Sequence, residues 1–409
     1  MILRLLVVYG SKGLYALLLV AVSTYVARVW GADALGTYSV FLTLLTVASV
    51  VAVFGADMRY IETAPKLVGN IYSDERVLAS RAVIAVMCQS ALITPIFGLV
   101  VYFMVPDLIG GASALLFMAV VTVASSILVS QNRQVMNSVL AFMARPALFF
   151  GVAVGSGVLG LSFAFSMSVS LALSYAIVAL VAVILLCTPR VGGIRLSGYY
   201  TREWWNSSWA YVVIGLYPIL FSQADRLLTL QFLGAQETGY YSAAQNILNI
   251  ANYAVNAVMS LALPLIASML AGRVRELDFE KGIKRLSRGL FAFALACSLI
   301  FVVAGDAILS VFGDGFDAAT LPLVITSLGL AGGLVFGFPI TVLTLSESRR
   351  SVVVLFVGVL IGSLLLSLVG ILWWGIVGAA IAAAISNFIS RWVFHVVCVK
   401  KTGISSAIF

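Results

Sequence analysis

The sequence predicts an all-α polytopic membrane protein with about 12 transmembrane helices in two parallel six-helix repeats. Three observations predict it. Hydrophobic residues make up 62% of the 409 and charged residues only 10%, whereas a typical soluble domain carries about 25% charge. The 24 Lys and Arg fall almost entirely in alternate connections between apolar stretches. A nine-residue pattern recurs half a chain later.

A membrane-spanning helix needs about 20 mostly apolar residues. Such stretches run over 6–29, 36–56, 78–104, 112–132, 138–160, 163–187, 206–232, 240–268, 289–312, 320–344, 351–372 and 375–398. They use most of the chain, so an enzyme would have to build its site inside the membrane or from short loops. Arg4 followed by an apolar run resembles a secretory signal. The run is too long and lacks a convincing small-residue cleavage site before Arg28, so it reads as a retained first helix.

The basic residues set the orientation. With the N-terminus in the cytoplasm, the inner side collects Arg4, Lys12, Arg59, Lys66, Arg76, Arg81, Arg133, Arg145, Arg190, Arg195, Arg202, the cluster Arg273 to Arg288, Arg349, Arg350, Arg391, Lys400 and Lys401. Only Arg28 and Arg226 remain, and the outer connections hold Asp33, Asp107, Glu237, Asp306, Asp314 and Asp317. The reverse orientation violates the inside-positive bias at nearly every loop. Both termini are therefore expected in the cytoplasm. The net charge of +8 forms no separate basic domain, which excludes nucleic acid as the expected partner. Cys88, Cys187, Cys297 and Cys398 are scattered and His395 is the single histidine. No metal site, disulfide or cofactor is expected.

The internal repeat pairs GADALGTYS (31–39) with GAQETGYYS (234–242), an offset of 203 residues. Each copy falls at an expected outer turn between the first two spans of a half. Gly31 and Gly234 suit a left-handed helix end, and Gly36 and Gly239 suit a tight re-entry. Six spans per half give both halves the same orientation, hence parallel repeats. The expected division is a bundle over 1–187, a cytoplasmic linker over 188–205 and a second bundle over 206–409. The polar segments 57–77 and 271–288 occupy matching places and read as amphipathic extensions along the membrane surface or as solvated loops.

Three stretches, YVARVWGADALGTYSV, FGADMRYIETAPK and QADRLLTLQFLGAQETGYYSAAQNILN, together with the twelve spans, resemble the polysaccharide-transporter (Wzx-type) branch of the multidrug/oligosaccharidyl-lipid/polysaccharide (MOP) exporter superfamily. The resemblance implies a flippase of the bacterial cytoplasmic (inner) membrane. It would move a lipid-diphosphate-linked oligosaccharide, typically undecaprenyl-linked, to the outer leaflet by alternating access through a cavity between the halves. Lipid II flippases of that superfamily usually carry further spans after the twelfth, so that activity ranks lower. Membrane lipid and a coupling proton or sodium ion are the other implied partners. A cation-coupled multidrug exporter is the alternative in the same fold. A membrane glycosyltransferase or polymerase is the alternative of another class, but the outer loops are short for it.

Physics makes the task intelligible. A sugar-diphosphate head cannot cross about 30 Å of hydrocarbon unaided, because burying each unpaired polar group costs kilocalories. Cations in a hydrated cavity lower that barrier. Arg28 ends the first span on the outer side, either as a cation for the head group or snorkelling to outer headgroups. Asp225 and Arg226 lie inside the seventh span, where ionisable groups face protein or water. Adjacent helical residues point about 100° apart, so they are not expected to pair. Arg226 suits phosphate and Asp225 a coupling cation, with an interhelix salt bridge as the bland alternative. Lys12 and Arg133 stand near inner helix ends, where cavity lining and plain interface positions compete. Arg59 stands at the inner end of the second span, one turn from Glu62, where cavity lining competes with a simple helix ion pair. Gln245, Asn249, Asn252 and Asn256 share one face of the eighth span and suit sugar hydroxyls or interhelix bonding. Gly329, Gly333 and Gly337 before Pro339 mark the tenth span for close packing or movement.

Overall fold

The structure, a computed structural model, describes residues 2–67, 72–186, 202–270, 276–346, 349–402 and 406–408. The described residues are helical, without strands. In chain order they form α1 (Ile2–Val53), α2 (Ala56–Leu67), α3 (Tyr72–Met104), a 3-10 segment (Pro106–Ser113), α4 (Ala114–Ser130) and α5 (Gln134–Asn137). A π-helical stretch (Ser138–Ala144) then leads into α6 (Arg145–Val158), followed by α7 (Phe163–Leu186). The second half holds α8 (Arg202–Leu233), α9 (Ala235–Leu270), α10 (Glu276–Leu309), α11 (Thr320–Leu334), α12 (Pro339–Ser346) and α13 (Arg349–Thr402).

Eight of these stretches are long and apolar enough to cross a membrane. Two of the eight, Gly10–Val53 with 44 residues and Val352–Thr402 with 51, are each long enough for two crossings of about 30 Å. Both are broken: α1 at Gly31 (φ 88°, ψ 178°) and α13 at Trp374–Gly375, where Gly375 has φ 58°. α8 and α9 are not among the eight. They carry Gln223, Asp225 and Arg226, and Gln245, Asn246, Asn249, Asn252 and Asn256. The buried charges Asp225 and Arg226 both lie on α8, and these polar residues lower the hydropathy of the two helices.

The chain forms two compact units. One comprises 1–22 and 38–220, the other 23–37 and 221–409. In the first, fully buried Phe41, Leu45, Leu108, Leu115 and Ile127 form the interior. Gly111 packs on the Phe41 ring so closely that a Cβ there would sit 2.9 Å from it. In the second, Tyr241, Ile371, Ile376, Ala379 and Ala380 form a core cluster. Burying such side chains contributes about 1.5–3 kcal/mol each for the large ones in water, but between helices in lipid, close packing carries more of the weight.

Segment 23–37 belongs to the second unit because the two repeat copies pack on each other. A Cβ on Gly36 would overlap the carbonyl of Ala235, and one on Gly239 would overlap the carbonyl of Ala32. The contact is reciprocal at the same 203-residue offset as the sequence repeat. Gly31 and Gly234 take φ of 88° and 90°, as a helix break requires. Gly36 and Gly239 instead lie inside helices. Their role is close backbone approach, which corrects the expected tight re-entry.

Several boundaries move from those expected. The linker expected over 188–205 lies outside the described residues up to 201, and 202–205 already belong to α8. The polar segment 57–77 contains α2 and the start of α3, with 68–71 outside the described residues. The segment 271–288 contains the start of α10, with 271–275 outside. The tenth span, expected unbroken over 320–344, is interrupted between α11 and α12. There Gly337 has φ 70°, and residues 406–408 supply the missing partners. Phe338 N–H donates to Ser406 Oγ at 3.0 Å, Ser406 Oγ–H donates to the Phe336 carbonyl at 3.0 Å, and Ile408 N–H donates to the Val335 carbonyl at 3.0 Å. Before the break, Gly329 abuts Ala384, and Gly333 abuts Asn387 and Arg391 of α13.

Candidate functional site

The second unit places a buried polar network where α8 meets α9. Asp225 and Arg226 are 8% and 7% exposed. Asp225 Oδ1 accepts the backbone N–H of Arg226 at 2.9 Å. Its Oδ2 accepts the Tyr241 hydroxyl from α9. One helical turn on, Gln245 Nε2 donates to the Tyr241 oxygen at 2.9 Å. The phenol thus relays between an amide and a carboxylate. The Thr229 hydroxyl donates to the Asp225 carbonyl at 2.7 Å and ties the site to the next turn of α8.

Arg226 is placed differently. Its carboxylate neighbour bonds the Arg226 backbone rather than its guanidinium. Among the described residues the guanidinium makes no ion pair, and its buried Nε has no hydrogen-bond partner. A buried donor left without an acceptor costs about 1–3 kcal/mol, more when charged. An oxygen acceptor brought to this position would satisfy it.

The expected amide row runs along α9 from buried to exposed. Gln245 is buried and held by Tyr241, Asn249 and Asn252 are half-buried, and Asn256 is exposed. Sequence reading passed over Asn246, whose Nδ2 donates to the Ser23 hydroxyl at 2.9 Å. It also passed over Tyr241, which joins two predicted residues, Asp225 and Gln245. The structure holds exposed Arg28 by a bond from Nε to the Val311 carbonyl at 2.7 Å. Lys12 and Arg59 are half-buried in the first unit, and exposed Arg133 is the N-cap of α5. The Glu62 side chain lies outside the described residues.

The first unit contains a cationic pocket that the sequence tally assigned to an inner connection. Arg145 opens α6 directly after the π-helical stretch, a distortion often found at functional sites. Its Nη2 donates to the Tyr15 hydroxyl at 2.8 Å and its Nη1 to the Tyr175 hydroxyl. The guanidinium carbon also lies 5.3 Å and 4.9 Å from the centroids of those two rings. A cavity of about 300 Å³ opens here, lined by Thr122, Ser125, Ser126 and these three residues among others. Among the described residues, no carboxylate lines it. Ring faces attract a cation, yet they leave its unit charge uncompensated. Two of the five N–H groups of a guanidinium meet the phenols.

No protein-family model and no curated protein matches this sequence. Solved structures do match over nearly the whole chain. The lipid II flippase MurJ, in an inward closed conformation, is similar at a TM-score of 0.69 and 12% identity, over 97% of this chain and 87% of that one. A MATE transporter from Vibrio cholerae, VcmN, is similar at 0.66 and 14%, over 97% and 96%. A transporter of the MOP superfamily from Pyrococcus furiosus, described with a binding pocket of reverse polarity, is similar at 0.66 and 12%, over 97% and 95%. The fold is that of the MOP-superfamily transporters. At these identities the likeness settles architecture and leaves the cargo to the residues themselves.

Proposed function

We propose that this MOP-fold protein is an alternating-access flippase for a lipid-diphosphate-linked oligosaccharide in a bacterial inner membrane, with both termini cytoplasmic. The observation that carries this reading is Arg145: a guanidinium beside a cavity, partnered among the described residues by two phenols and no carboxylate. A fixed, uncompensated cation in a low-dielectric setting favours an anionic cargo. Arg226, with its buried unpartnered Nε, adds a second such donor. Guanidinium matches phosphate oxygens in a planar fork. The Ser125, Ser126 and Thr122 hydroxyls at the same cavity suit sugar or phosphate oxygens.

In this mechanism the cations replace the hydration that the diphosphate loses on entering the protein. The lipid tail stays in hydrocarbon, where it pays no desolvation penalty. Asp225 balances the charge near Arg226, and protonation or cation binding there changes that balance when the cargo leaves. Multidrug export is a second reading, supported by the buried carboxylate of Asp225 bonded to Tyr241, an arrangement suited to ion coupling. Reconstituted flipping in liposomes separates the two. Arg145→Gln and Arg226→Gln should each reduce translocation of a lipid-linked oligosaccharide at least tenfold, and Arg→Lys should restore part of it. Unimpaired flipping by the double Gln variant, at matched protein amounts, would sink the anionic-cargo reading.

A further inference from the structure

A groove on the second unit shares no lining residue with that unit's polar network. It runs between α9 and α10, holds about 470 Å³, and is lined by Ala254, Val258, Gly282, Arg285, Gly289 and Phe293 together with two leucines. Among the described residues its walls are apolar except for Arg285. The two glycines create it. They stand seven residues apart, two turns, so they share one face of α10. A Cβ placed on either meets no atom within 4 Å, so their missing side chains leave open space.

Arg285 sits between them on that face. It is exposed, and among the described residues it has no hydrogen bond or ion pair. Lys284 and Arg288 add two cations on the same turn, Arg288 with its Nε donating to the Ile408 carbonyl at 3.0 Å. Among the described residues, no carboxylate lines the groove.

Length places the groove in the bilayer. α10 has 34 residues, about 51 Å at 1.5 Å per residue, and exceeds the hydrocarbon core of about 30 Å. Its apolar run begins after Arg288. The basic turn is therefore at headgroup level, with Leu290 and Phe293 in hydrocarbon. From Arg285 to Phe293 the helix rises about 12 Å, close to the depth of one leaflet's acyl region. The groove thus offers a cation at phosphate depth and an unobstructed apolar track below it.

We propose that the α9–α10 groove is a specific site for an anionic glycerophospholipid of the bilayer. Its phosphate rests on Arg285 and one acyl chain lies along Gly289 toward Phe293. Basic pockets between transmembrane helices bind anionic headgroups in this way. Gly282, one turn beyond Arg285, leaves room for the headgroup. The site is separate from cargo transport and stands or falls without it.

The test is native mass spectrometry of the full chain, titrated with a phosphatidylglycerol or a phosphatidylcholine of identical acyl chains. The parent should bind the anionic lipid about tenfold more tightly. Arg285→Gln should cost about fivefold of that preference, the usual value of one basic residue at a membrane surface. Gly289→Leu should fill the track and remove both lipids while leaving the melting temperature unchanged, since its Cβ enters open space. Gly282→Leu should weaken the anionic lipid more than the zwitterionic one, and it reads the site again if the first leucine disturbs folding. Equal affinities for the two lipids in the parent, or parent-like anionic binding in both leucine variants, overturns the proposal. Binding is measured without transport, so neither result bears on the flippase reading.

Discussion

Tyr241→Phe isolates one hydrogen-bonding group at the centre of the buried network. The ring is fully buried and packs among Ile371, Ile376, Ala379 and Ala380, so the change keeps its packing and deletes only the hydroxyl. Among the described residues the Asp225 carboxylate then keeps one hydrogen bond, from the Arg226 backbone N–H at 2.9 Å. Gln245 also loses its acceptor. Hydrogen bonds to charged groups contribute about 1.5–3 kcal/mol in water-soluble proteins, while interhelix bonds in membranes average about 0.6 and reach about 1.7. With a carboxylate acceptor and a second partner stranded, we expect a loss of about 2 kcal/mol, roughly 30-fold in the unfolding equilibrium. Reversible unfolding in mixed micelles reads this directly. In an Asp225→Asn background the same change should cost about 1 kcal/mol less, because the acceptor is neutral there. Equal costs in the two backgrounds, within about 0.3 kcal/mol, would show that Tyr241 and Asp225 are not coupled.

Gly36→Ala and Gly239→Ala should each destabilise by about 1–3 kcal/mol, because each new methyl meets a backbone carbonyl that must move. A difference above about 1 kcal/mol between them contradicts the reciprocal contact. Cysteines replacing Asp33 and Gln236, both exposed, should react with an impermeant thiol reagent from the periplasmic side only. Labelling from the cytoplasmic side alone reverses the proposed topology. Ser406→Ala removes the acceptor of the Phe338 N–H, so amide exchange at Phe338 should quicken by about 5- to 30-fold, and unchanged protection there refutes a pinning role for the tail.

The parts legible in the sequence are those with a local signal. Hydropathy marks a span from the residues within it. The breaks at Gly31 and Gly234 could be read because positive φ favours glycine wherever it occurs. Asp225 and Arg226 stood out because a charge in an apolar run is costly without a purpose. The close contact of Gly36 with Gly239 was half legible: the repeat exposed the pair, but only the fold shows that the two copies touch. Sequence alone suggested a turn because it cannot distinguish a glycine that bends a chain from one that admits another backbone.

Tyr241 and Arg145 show why the rest was hidden. Tyr241 belongs to the repeated nine-residue pattern, where it reads as part of a helix start. Its bond to Asp225 depends on which faces of α8 and α9 meet. Arg145 lies in the apolar run AFMARPALFF, yet it fell on the basic side of the topology tally and was absorbed there. Its partners come from 130 and 30 residues away, so no local window contains the site. Phenols deepen the concealment. They count as apolar in hydropathy and as neutral in net charge, but they bond a guanidinium without cancelling it. A cation paired with a carboxylate loses most of its attraction for an anionic cargo, whereas one held by two tyrosines is positioned and still charged. Around Arg145, the residues that a charge count ignores are those that keep the cation available.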